Sequence, residues 1–99
     1  SSLLSTARAQ KQAAAAQIEA NAIALNGVRE EAAVGRRTTL DVLNAQQDLR
    51  ISRASLLTAQ RDEVVASYGL LLATGRLSAA ELGLRVERYD AVRHFDQVK

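Results

Sequence analysis

Val34-Gly35-Arg36-Arg37-Thr38-Thr39-Leu40-Asp41-Val42-Leu43-Asn44 is the stretch that decides the fold. It separates two long segments of helical periodicity and holds the strongest break between them. Gly35 suits the left-handed conformation that closes a helix just past its last turn. Thr38 offers its hydroxyl oxygen to a backbone N–H of the following helix, and Asp41 falls three residues later. That spacing is a capping box with Asp in place of the usual Glu or Gln. One helix stops, about three residues turn the corner, and the next begins with its cap in place. Helices joined by so short a loop lie antiparallel. The sequence predicts a helical hairpin with its tip at residues 34–39.

Outward from the tip, each arm carries two heptad-spaced stripes. In the first arm, from about Ser2 to Ala33, one stripe is Leu4, Ala7, Lys11, Ala14, Ile18, Asn21, Leu25, Val28 and Ala32. The other is Ala9, Ala13, Ala16, Ala20, Ile23 and Gly27, nearly all small. In the second arm, from about Thr39 to Thr74, Val42, Ala45, Leu49, Ser52, Leu56, Ala59, Ala66 and Leu70 form one stripe, broken at Glu63. Leu40, Leu43, Gln47, Ala54, Leu57, Val64, Tyr68 and Leu71 form the other, broken by Arg50 and Arg61. Alternating steps of three and four are the coiled-coil repeat. One stripe pairs a helix with one partner, and two imply two partners. Lys11 and Asn21 read as register marks or a wet edge. Closure of several hairpins into a tube uses both faces of every helix, as do a solenoid and a bundle. At ~1.5 Å rise per residue each arm is roughly 50 Å long.

Composition narrows the class. In 99 residues there is no Pro, Cys, Met or Trp, and Tyr68, Tyr89 and Phe95 are the only aromatics. Ala favours helix but buries little area, so a two-helix chain of this kind makes a thin core and finds its stability against other helices. The missing Met points to a piece of a longer chain. No apolar run is long enough to span a membrane as a helix. A net charge of +2 with both signs interspersed gives no argument for nucleic acid.

After Gly75, expected to end the second arm, Ser78-Ala79-Ala80-Glu81 is a full capping box that predicts a short helix closed by Gly83. Beyond Leu84 the heptad order is lost, and Val86, Tyr89, Val92 and Phe95 suit either a brief amphipathic turn or an extended strap. The organisation expected is a coiled-coil hairpin over residues 1–75 and an appendage over residues 76–99.

No catalytic constellation emerges, and no cofactor or metal is expected. His94 is the single histidine, and with Asp90 and Asp96 nearby it reads as a solvated surface side chain before a metal ligand. No nucleophile sits beside a base in a known motif. Single glycines make no phosphate-cradling loop. Glu30 and Glu31 adjoin on a helix and point to different faces. Arg36 and Arg37 form at most a small anion site.

The run from Val34 to Ala45 and Gln46 closely resembles the second hairpin tip of TolC-like outer-membrane efflux and secretion channels, whose pattern is roughly Val-Gly-x-Arg-Thr-x-x-Asp-Val-Leu-(Asp/Asn)-Ala. The resemblance runs on through Leu49, Ala54, Leu57, Ala59, Asp62 and Tyr68 to Gly75-Arg76-Leu77-Ser78 and Leu82. It reaches the tail at Tyr89-Asp90 and His94-Phe95, although Ala91 stands where the family usually has Pro.

The resemblance implies an all-α fragment of a trimeric channel: a helical tunnel across the periplasm that continues an outer-membrane β-barrel. This chain would supply the second repeat's hairpin and the segment around the tunnel's equator. The parent would sit in the outer membrane of a Gram-negative bacterium. It would work as a homotrimer with a periplasmic adaptor protein and an inner-membrane transporter, in drug efflux or type I secretion. Carried over by the motif, Arg37 matches the tip Arg whose hydrogen-bonded and ionic links hold the entrance closed. Asp41 matches the acid that, repeated threefold, makes a cation-attracting constriction, and Asn44 falls where a second constriction acid is common. Gly35, Arg36, Thr38, Leu40, Val42 and Leu43 would belong to the gating and adaptor-docking tip. Ala32 replaces a Tyr that helps lock the tip in some members. Two other classes fit a long hairpin: a periplasmic adaptor, whose tip lacks the Asp-Val-Leu-(Asp/Asn)-Ala run, and a structural coiled coil with no transport role.

Overall fold

The computed structural model describes residues 2–98, with side chains described through residue 96. It is all-α: α1 spans Ser2–Ala33 and α2 spans Thr39–Val98, with no strand among the described residues. The chain divides into two compact units, Ser1–Ala66 and Ser67–Lys99.

The first unit is the expected antiparallel hairpin. Its seam is built from the first stripe of each arm. Leu4, Ala7 and Leu25 of α1 are buried, as are Leu49, Ser52, Ala59 and Ala66 of α2. The remaining members of those stripes, through Ala66, are half-buried. The second stripes are left open, with Ile23, Leu57 and Val64 about two-thirds exposed. Leucines are few in the seam, so its apolar core is thin: each contributes about 1.5–3 kcal/mol and each Ala far less.

Polar seam residues find partners inside the hairpin. Lys11 Nζ lies 3.5 Å from Glu63 Oε1. The Asn21 side-chain amide donates to the Asp48 carbonyl at 3.1 Å. The buried Ser52 hydroxyl donates to the Leu49 carbonyl at 2.8 Å, one turn back. Lys11 and Asn21 thus each find a partner on α2, at the partly exposed edge of the seam. The seam closes at Ala66, which packs with Leu4 and Ala7 near the start of α1.

In the second unit the structure departs from the expected break. Gly75 does not end the helix, Ser78 opens no new one and Gly83 closes none, because α2 runs through all three. An interior Gly costs about 1 kcal/mol against Ala. Stopping would instead give up the helical hydrogen bonds at both new ends and leave those backbone groups to caps or water. The side chains follow the continuous helix. Glu81, expected to close the box on Ser78, instead accepts from Arg85 at 3.0 Å, an i,i+4 pair. Thr74 donates back to the Leu70 carbonyl at 2.9 Å, and the Arg93 guanidinium lies 5.6 Å from the Tyr89 ring centre. His94, Asp90 and Asp96 form no cluster, and among the described residues no group of three His, Asp or Glu side chains is placed to hold a metal.

Candidate functional site

The tip is two helix caps in series. Gly35 has φ of +79°. Its N–H donates to the Ala32 carbonyl at 3.1 Å, and the Arg36 N–H reaches the Glu31 carbonyl at 2.8 Å. These two bonds are the Schellman closure of α1, and they need a residue at ease with positive φ between them. A Cβ on Gly35 would meet nothing within 4 Å, so backbone conformation alone selects glycine there.

Three residues on, Thr38 and Asp41 cap α2 reciprocally. The Asp41 N–H donates to Thr38 Oγ1 at 3.1 Å, and the Thr38 N–H donates to Asp41 Oδ2 at 2.9 Å. This is the expected capping box. The Thr38 backbone N–H, with the Thr38 hydroxyl adding to it, holds the Asp41 carboxyl below its ordinary range, and nearby Arg37 acts the same way. Position at the start of α2 favours the same charge, since peptide dipoles converge there.

Arg37 bridges the two caps. Its Nε lies 2.6 Å from Glu31 Oε2. That hydrogen bond and the Glu31 charge, with a smaller contribution from Asp41, push the guanidinium pKa further up. Glu31 sits in the last turn of α1, where a carboxylate opposes the helix dipole, and Arg37 offsets it. In the sequence Glu31 reads only as the neighbour of Glu30. The six-residue spacing to Arg37 matches no helical repeat and becomes a contact only through the Schellman turn.

The other tip residues are displayed, not packed. Leu40 and Leu43 are mostly exposed, Val42 is half-buried at the seam's start, and Arg36 and Asn44 are exposed. Asn44 lies three residues after Asp41 on α2, within one helical turn of it. The tip thus presents the Asp41 carboxylate, the Glu31–Arg37 ion pair, an Arg36 with no ion pair among the described residues and two open leucines on a doubly capped turn.

Comparison with known proteins extends the likeness across the chain. It is 50% identical to the outer membrane efflux protein BepC of Brucella suis biovar 1 (strain 1330), over an alignment of 103 residues. That alignment takes in 97% of this chain but 23% of the relative, so the chain spans under a quarter of the relative's length. No family model matches the chain, and no solved structure matches it.

Proposed function

We propose, on the premise that this chain is a segment of the TolC-like outer-membrane efflux family, that it forms part of the helical wall and the entrance tip of an outer-membrane efflux channel. The observation that carries the reading is 50% identity across 97% of the chain to a protein named for outer-membrane efflux. The hairpin supports it. One stripe on each helix is consumed in the seam, and the second stripes are left open for neighbouring hairpins.

In the assembled parent, a homotrimer, Asp41 lines the entrance as a threefold acidic ring, and Asn44 stands one turn deeper. Arg37 belongs to the links that keep the tip closed. The turn from Gly35 to Leu43 receives a periplasmic adaptor that joins the channel to an inner-membrane transporter. The stretch beyond Gly75, helical in this chain, lies at the tunnel's equator. The hairpin itself works in the periplasm, below a barrel built by parts of the parent outside this chain.

A segment exchange tests the reading. This chain replaces the matching segment of the Brucella efflux protein, and trimer formation and export of a fluorescent drug are measured in cells lacking the native channel. A trimer that restores export supports the wall assignment. A monomeric or unstable product overturns it.

A further inference from the structure

Because α2 does not break at Gly75, its second half carries a stripe that a broken helix would have split. Tyr68, Leu72, Gly75, Ala79, Leu82, Val86 and Tyr89 follow one another in alternating steps of four and three. Every member is aromatic, aliphatic or small, and none is charged. The stripe is three heptads of coiled-coil face inside the second unit, Ser67–Lys99. Its five large members are 45–63% exposed, so no element of that unit packs on it. The neighbouring stripe of Leu70, Ala73, Leu77, Ala80 and Leu84 is shorter and runs into Glu87 at its next position.

We propose that a second copy of this chain covers the stripe, in an antiparallel two-fold pair of α2 helices centred on Ala79. The occupant follows from the order of the side chains, because the stripe is complementary to its own reverse. Across the pair Tyr68 meets Tyr89 of the second copy, Leu72 meets Val86, Gly75 meets Leu82, and Ala79 meets itself. Each Leu82 then has the room that Gly75 leaves, and each end carries a tyrosine pair. A parallel pair would set Gly75 on Gly75 and Leu82 on Leu82, a gap beside a crowded layer. Charges agree with the antiparallel order. At the edges of the stripe Arg76 faces Gly83 of the second copy and Asp90 faces its Gly69, so no like charges meet. Arg93 lies 5.6 Å from the Tyr89 ring centre and keeps a cation on each terminal aromatic pair. The ten large side chains of two copies bring the contact to about 1,000 Å², the lower limit for a specific interface. The pair belongs to the chain by itself and does not depend on the channel reading.

The test is sedimentation equilibrium of this chain over a range of micromolar concentrations, where a reversible dimer is expected. Ala79→Glu keeps a good helix former but sets two carboxylates face to face on the two-fold axis. It should weaken the dimer about tenfold or more. Leu77→Glu, which falls on the neighbouring stripe, should leave the dimer unchanged. Orientation is read by mixing Gly75→Cys and Leu82→Cys chains, since the sequence has no other cysteine. The disulfide should join unlike chains in preference to like ones. A monomer at every concentration would overturn the proposal and leave the stripe to another segment of the parent. A trimer, an equal loss on Leu77→Glu, or disulfides between like chains would overturn it as well.

Discussion

Lys11 and Glu63 each break the apolar stripe of their own helix, and across the seam they meet each other at 3.5 Å. Neither break is a defect, because the polar groups coincide only in this register. A heptad slip would set Lys11 against Leu56 or Leu70 and Glu63 against Leu4 or Ile18. A half-exposed pair of this kind adds about 0.5 kcal/mol of stability, so its role is specificity more than strength.

Replacing both residues by Leu should therefore raise thermal stability while loosening register. The chain has no cysteine, so Ala7→Cys with Ala66→Cys reports native register cleanly. Disulfide formation should be near complete with Lys11 and Glu63 in place and should fall in the Leu–Leu variant, whose slipped registers hold the two cysteines apart. Undiminished native crosslinking there would show that the tip alone sets register.

Gly35 and Gly75 should respond oppositely to alanine. At Gly35 the positive φ makes any L side chain strained by about 1–2 kcal/mol, and Gly35→Ala should lower the hairpin's stability by that order. Gly75 is helical with open space around it, and Gly75→Ala should raise helix stability by about 1 kcal/mol. Chemical denaturation followed by circular dichroism separates the two. Loss of stability at both positions would restore Gly75 as a helix stop.

That contrast marks how far the sequence could be read. The seam was legible because heptad spacing maps directly onto one helical face, and the tip because Gly35 and the Thr38–Asp41 box act within a few residues. The end of α2 was not. Gly75 and the Ser78–Glu81 box are stop signals only where something takes over the helical hydrogen bonds, and a Pro-free, Ala- and Leu-rich stretch gives the chain no reason to stop. The Arg37–Glu31 pair lay beyond periodic reasoning because a turn, not a repeat, brings the two together.

Glu31 and Arg37 should act as one unit. In the assembled channel Arg37→Ala is expected to loosen the closed tip and raise conductance. Glu31→Gln should do the same, and the double variant should do no more than either alone. Additive increases would mean that Arg37 holds the tip through a different partner.

Asp41 should titrate below an ordinary aspartate in the isolated hairpin, since the folded cap favours its charged form. Its stabilising contribution is then complete above the unfolded value of about 3.9 and is lost as pH falls through the lower folded value. Carbon-detected NMR of the carboxyl reads this directly. A folded pKa at or above the unfolded one would contradict the cap. In a threefold ring, mutual repulsion acts the other way and raises the apparent pKa, so assembly should shift the titration upward.

The most direct measurement is the ion selectivity of the assembled channel with and without Asp41→Asn. Three like charges in a narrow, low-dielectric entrance concentrate cations and repel anions. Asn keeps nearly the same shape and much of the capping ability, so the substitution removes charge with little loss of fold. Planar-bilayer recordings should show cation selectivity and block by multivalent cations falling sharply, with Asn44→Asp strengthening both. Unchanged selectivity and block in a normally assembled Asp41→Asn trimer would make Asp41 a helix cap alone and contradict the entrance assignment.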